Sequence, residues 1–252
     1  MAHLKNRLSM TLFFDFDPPF HWLRLSLKAH ASAIMQPAGR FYLGHIGKVP
    51  IYVAFDAIFM VVFVFLVVGQ GLGLDQILLV LTALVLTVLF HELGHALVAL
   101  AVGMHGVSIT ITGLGGLCSF SGDQHPKRSL VISMAGPATN LILAYITWLF
   151  LKHGVVTDET LRFLLSNFWM WNLTLGIFNS LPIYPLDGGQ MALSISRMVG
   201  REHTARRFTL GLSFVTAFVA LGTYLTLSSG DPPIFLIIMV LFLLYTAHRE
   251  LS

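Results

Sequence analysis

Charge is what this chain has least of. Its 252 residues include 15 Lys and Arg and 12 Asp and Glu, so that 11% are charged, against about 25% in ordinary soluble domains. So few charges cannot cover a water-facing surface. The shortage excludes a soluble enzyme, a disordered tail and a nucleic-acid binder, although the isoelectric point is near 9.2. Cysteine is almost missing as well. Cys118 alone excludes a disulfide framework and a cysteine-based zinc knuckle. Apolar residues fill the gap: 56% of the chain is hydrophobic and the mean hydropathy is +0.79. The composition is that of a polytopic membrane protein.

Six stretches approach the roughly 20 helical residues needed to cross a hydrocarbon core about 30 Å thick: residues 49–68, 77–102, 129–151, 161–181, 208–227 and 234–247. The sixth is short and follows Asp231-Pro232-Pro233. If both termini share one side, that side holds Lys5, Arg7, Arg24, Lys28, Arg40, Lys48, Lys127, Arg128, Arg197, Arg201, Arg206, Arg207 and Arg249. Only Lys152 and Arg162 lie opposite. The positive-inside rule makes the first side the cytoplasm. Residues 1–48 read as a cytoplasmic or interfacial segment, and residues 49–252 as one six-span membrane domain. Within the former, Leu23, Leu25 and Leu27 alternate with Arg24, Ser26 and Lys28, a pattern that suits a surface strand or a short amphipathic helix. Residues 8–14 are apolar but too short for a removable signal, and no targeting segment is expected. The expected address is a prokaryotic plasma membrane.

An ionisable side chain inside a span is costly and by default functional. The acids in the apolar segments are Asp56, Glu92 and Asp187, joined by His91 and His95. His91-Glu92-Leu93-Gly94-His95 matches H-E-x-x-H. On a helix, positions i and i+4 share a face, so both imidazoles can reach one tetrahedral zinc ion while Glu92 serves as general base. A catalytic zinc takes a third protein ligand, which must lie at the same depth. His91 lies roughly 21 Å of helix into the second span and Asn179 roughly 27 Å into the fourth, both in the cytoplasmic third. Beyond Asn179, Pro182, Pro185, Gly188 and Gly189 break the helix and free Asp187 to turn back to the metal. Asp187 is the expected third ligand; the alternative is an amino-terminal cap for residues 188–199. Asp56, with no break around it, is read as a cavity-lining or supporting acid. Residues 107–112 alternate apolar and polar, which fits a strand that could offer an edge to substrate, or an amphipathic loop.

These residues resemble the site-2 protease family of intramembrane zinc metalloproteases. The likeness rests on residues 91–95, on 179–189 as the family's N-x-x-P…L-D-G segment, on Ala135-Gly136-Pro137-Ala138-Thr139-Asn140 as its G-P-x-x-N run, and on the glycines of 113–116 within residues 107–121. The resemblance implies an all-α polytopic membrane protein of about six transmembrane helices, with a small membrane-associated β-hairpin or sheet near the active site. It implies one Zn2+ per chain held by His91, His95 and Asp187, and catalysis by Glu92 with Asn179 beside the metal holding the carbonyl oxygen. Gly113, Gly115, Gly116 and Asn140 are the implied substrate-binding residues. The implied partners are the lipid bilayer and a membrane-protein substrate with a transmembrane helix, cleaved in or near that helix, and no nucleic acid. No PDZ-like insertion or nucleotide-sensing module is read. A divalent-metal transporter and a zinc-binding scaffold without catalysis are the alternatives.

Overall fold

The computed structural model describes residues 39–113, 115–123, 125–227 and 234–251. The alternating run at 23–28 and the Asp231-Pro232-Pro233 sequence lie outside them. Two strands open the described chain, β1 (Arg40–Ile46) and β2 (Val49–Ala54), followed by a short apolar helix, α1 (Phe55–Val68). Next come α2 (Leu74–Ala101), β3 (His105–Thr112), β4 (Gly115–Ser121), α3 (Pro126–Lys152) and α4 (Glu159–Ser180). The chain ends with α5 (Asp187–Val199), α6 (Glu202–Leu227) and α7 (Ile234–Leu251).

Among the described residues, three helices are long and apolar enough to cross a membrane: Leu74–Ala101, Pro126–Lys152 and Glu202–Tyr224. The expected span at 49–68 is different. Its first six residues form β2, because Val-Pro-Ile-Tyr-Val is rich in residues that suit a pleated surface. That leaves α1 about 21 Å long at 1.5 Å per residue. The segment at 161–181 lies on α4, which carries Ser166, Asn167, Asn172, Asn179 and Ser180.

β-Structure is more extensive than one hairpin. The sheet has four strands in the order β1-β2-β3-β4. β1 and β2 form an antiparallel hairpin around Gly47, whose φ is +59°. β2 runs parallel to β3, with Ile51 opposite Ile109. β3 is antiparallel to β4, with Ile109 opposite Cys118. Strand β3 is therefore paired on both sides. The free edge beside the helices belongs to β4, which moves the expected substrate edge from 107–112 to 115–121.

Helices α2, α3 and α4 start where local chemistry suits their free amides. The Gln76 side chain accepts from the Gly73 N–H at 3.1 Å at the start of α2. Pro126 stands in the first turn of α3, where its fixed φ and missing N–H are harmless. Asp158 caps α4 by accepting from Leu161 N–H at 2.7 Å. Helix α2 is apolar all round, as expected of a helix enclosed by other elements or by lipid. Its first half packs Ile77, Val80, Leu84 and Val88 against Met60 and Val64 of α1. Its last turns pack Ala96 and Ala99 against Val49, Val107 and Ile109 of the sheet and Ile132 of α3.

Small residues let helices approach closely where lipid provides no hydrophobic drive. A methyl at Gly94 would meet the Thr139 hydroxyl and, at 2.8 Å, the Ala135 carbonyl, so this glycine fixes how near α3 lies to α2. Deeper in the bundle, Asn172 donates to the Thr87 hydroxyl at 2.9 Å, tying α4 to α2 with both side chains fully buried.

Candidate metal centre

Three elements converge on one buried point. Helix α2 presents His91 and His95 on one face, with side chains only 6% and 8% exposed. The break at 181–186 ends α4 and starts α5, so that Asp187 lies in the first turn of α5 and faces them. The residue in the capping position is Leu186, and no side-chain cap is made there, so the Asp187 carboxylate is committed to the histidines. Its Oδ2 lies 3.0 Å from His91 Nε2 and 3.3 Å from His95 Nε2. The two Nε2 atoms are 3.1 Å apart.

These separations fit a metal. Ligand atoms about 2.0–2.1 Å from zinc at tetrahedral angles stand roughly 3.3 Å apart. Two imidazole nitrogens and one carboxylate oxygen form a zinc donor set that keeps a fourth position open, and they are the candidate metal-binding group among the described residues. His95 Nδ1 lies 2.7 Å from the Ile132 carbonyl. A carbonyl can only accept, so the ring proton is on Nδ1 and the Nε2 lone pair points at the centre. Gly136 closes the opposite wall. A methyl there would meet His95 Nε2 and would lie 2.7 Å from His91 Nε2, inside the space the metal needs. Gly188 and Gly189 serve a related purpose. Side chains on them would strike the Ser180 and Leu181 carbonyls and the backbone at 183–184, and would push α5 with Asp187 away.

The centre opens into a cavity of about 540 Å³. Glu92, 5% exposed, lines it beside His91, His95 and Asp187. Gly116 of β4 faces the Glu92 carboxyl so closely that a methyl on it would overlap the side chain. Gly115, Leu117 and Cys118 continue the β4 wall, Ser133 stands on α3, Asn179 on α4, and Phe242 and Leu243 of α7 close the far side.

His91, Glu92, His95, Asn179, Gly115, Gly116 and Asp187 are thus gathered around one space. Gly113, Asn140 and Asp56 are not. Gly113 packs against the Asp56 carbonyl. Asn140 is fully buried and does not line the cavity. Asp56, read as a cavity-lining acid, is exposed in the first turn of α1, where an acid suits the helix amino terminus. Sequence reasoning missed the Ile132 carbonyl, a backbone group with no side-chain signature. It also missed Phe242 and Leu243, which are ordinary residues of an apolar helix.

The fold and site together define a helical membrane protein with a zinc centre of the H-E-x-x-H type. The family model for peptidase family M50 matches residues 79–157 and 151–223, more than half of the chain, and the chain belongs to that family, the site-2 proteases. Its cofactor is zinc. The protein sll0528 of Synechocystis sp., whose name marks it as a candidate zinc metalloprotease, is 34% identical over 164 residues, 61% of this chain and 43% of its own length. Zinc metalloprotease MJ0392 of Methanocaldococcus jannaschii is 30% identical over 170 residues, 66% of this chain and 48% of its own. The chain spans less than half the length of these relatives. The solved site-2 protease from Methanocaldococcus jannaschii superposes with a TM-score of 0.61 at 24% identity, over 84% of this chain and 95% of that one, and so shares the fold.

Proposed function

We propose that the chain is an intramembrane zinc metalloendopeptidase that cleaves a membrane-protein substrate in or near its transmembrane segment. The observation that carries the reading is the meeting of His91, His95 and Asp187 donor atoms at 3.0–3.3 Å, with Glu92 in the same buried cavity. Peptide hydrolysis needs a carboxylate held beside an open ligand position, and Glu92 supplies it. In this reading residues 49–252 form one membrane domain of six spans, both termini are cytoplasmic, and the centre lies in the cytoplasmic third of the bilayer. The membrane is a prokaryotic plasma membrane.

Bound zinc supplies a Lewis acid that polarises the scissile carbonyl and brings the pKa of water near 7. The protein supplies the rest. Glu92 takes the proton of the attacking water and returns it to the leaving amine. Asn179, on the cavity wall, donates to the developing oxyanion. The wall formed by Gly115, Gly116 and Cys118 gives an unwound substrate a strand to pair with, replacing the backbone bonds it loses on leaving its helix. Glycine at 116 leaves room there for both the substrate backbone and Glu92.

Glu92→Gln is expected to retain one zinc per chain and to lose cleavage of a single-pass substrate in proteoliposomes. Purified wild type without stoichiometric zinc would sink the reading. Zinc flux that persists in Glu92→Gln would move it to transport.

A further inference from the structure

The two histidines of the centre are held unequally. His95 gives its Nδ1 proton to the Ile132 carbonyl. His91 Nδ1 is buried and has no hydrogen-bond partner among the described residues. A zinc-ligating histidine donates its other ring N–H to an acceptor that fixes tautomer and ring orientation, and a buried polar atom rarely goes unpaired. A partner is therefore expected near His91 Nδ1.

The helix register shows where it is. Gly136 of α3 faces the Nε2 atoms of His91 and His95, and Gly94 faces Ala135 and Thr139, so α3 runs antiparallel beside α2. One turn beyond Gly136 this brings Asn140 to the level of His91. Helix α4 gives the same level independently. Asn172 bonds Thr87; one turn further along each helix stand Gly176 and His91. A methyl at Gly176 would lie 3.4 Å from the Asn140 Cβ. His91, Asn140 and Gly176 therefore share one layer of the three-helix contact, and Gly176 brings no side chain into it.

Asn140 is itself an unexplained group. It is 0% exposed, yet neither its Oδ1 nor its Nδ2 has a hydrogen-bond partner among the described residues. In the next layer outward Asn172 Oδ1 is also unpartnered, although its Nδ2 is satisfied. Three buried polar side chains with open valences thus stand on adjoining turns of the three helices. A bridging water needs two to four polar partners, and this cluster supplies them.

We infer that Asn140 is a positioning residue for the metal centre: with one buried water, it accepts the Nδ1 proton of His91 and holds that ring in the Nε2-ligating tautomer. The inference rests on the metal-binding reading above. It assigns Asn140 to the back of the zinc ligand rather than to the substrate.

The test uses the full chain in detergent or nanodiscs. Asn140→Leu keeps the number and branching of the side-chain heavy atoms and removes both polar atoms of Asn140, so the zinc-free protein is expected to fold with a modestly lowered melting temperature. Its zinc affinity, by competition titration, is expected to fall 10–100-fold, the usual cost of losing such a partner. The visible spectrum of its cobalt form should shift as well. Asn140→Asp retains an acceptor and should stay within threefold of wild type. Val80→Ala, in the remote core between α1 and α2, should lower stability without changing affinity. Asn140→Leu binding zinc within threefold of wild type, with an unchanged cobalt spectrum, overturns the inference. Should Asn140→Leu not fold, 15N spectra of histidine-labelled, zinc-free wild type decide: a proton on His91 Nδ1 supports the role of Asn140, and one on Nε2 overturns it. Absence of zinc binding by wild type would instead refute the metal reading, and the tautomer measurement would still judge the contact.

Discussion

Replacing Gly136 by alanine should empty the metal site while leaving the bundle folded. The added methyl would stand against His95 Nε2, 2.6 Å from His95 Cε1 and 2.7 Å from His91 Nε2. Ordinary contact begins near 3.5 Å, so either the rings or α3 must shift by about 1 Å. Metal ligands hold their distances to about 0.2 Å, so the shift is several times what the centre tolerates. The loss of folding stability is that of one overpacked methyl, about 1–3 kcal/mol. The expected result is a helical protein with native circular dichroism, a modestly lowered melting temperature and a zinc affinity reduced more than 100-fold. Zinc content by mass spectrometry and chelator competition measure it. Gly211→Ala is the internal control: nothing lies within 4 Å of its added methyl, and on helix α6 the exchange should be neutral or stabilising by up to about 1 kcal/mol. A Gly136→Ala protein with one zinc at wild-type affinity would refute the reasoning, since it would show that the glycine does not border the metal.

Two further outcomes follow from the same geometry. Gly116→Ala places a methyl 2.5 Å from Glu92 Oε1; zinc should remain bound while kcat falls roughly 10–100-fold, because an ångström of misplacement of a catalytic group is that costly. Steady-state cleavage beside zinc analysis separates the two effects. Asp56→Asn should leave zinc content and cleavage within twofold of wild type, because Asp56 is exposed and off the cavity; a large loss in either assay would place that acid back in the site.

The convergence of His91, His95 and Asp187 was legible because chemistry demanded it. Two histidines four apart around a glutamate, in a helix where each costs free energy, had no structural excuse. Asp187 followed from depth and from the prolines and glycines around it. The sheet was half legible. Alternation at 107–112 announced a strand, but its neighbours on both sides are set by pairings that no local pattern encodes, and the edge therefore fell on the wrong strand. Residues 49–54 read equally well as the start of a helix or as a buried strand, an ambiguity that short apolar runs carry. Asn140 was noticed by its motif, but its full burial away from the cavity was not legible. Its surroundings, a glycine on α4 and a histidine ring on α2, lie 36 and 49 positions away in the chain.

The parallel pairing of β2 with β3 bears on how the protein is made. Ile51 meets Ile109, 58 residues later, and at roughly 5–20 residues per second of synthesis that is about 3–12 s. During this interval β2 can pair only with β1, and its other edge stays open. Parallel strands require the chain to travel away and return between them, and here the traveller is the α1–α2 helix pair. The sheet that walls the cavity thus cannot close until those two helices have been made and have folded back on each other. Assembly of the cavity wall is thereby tied to the prior packing of α1 against α2.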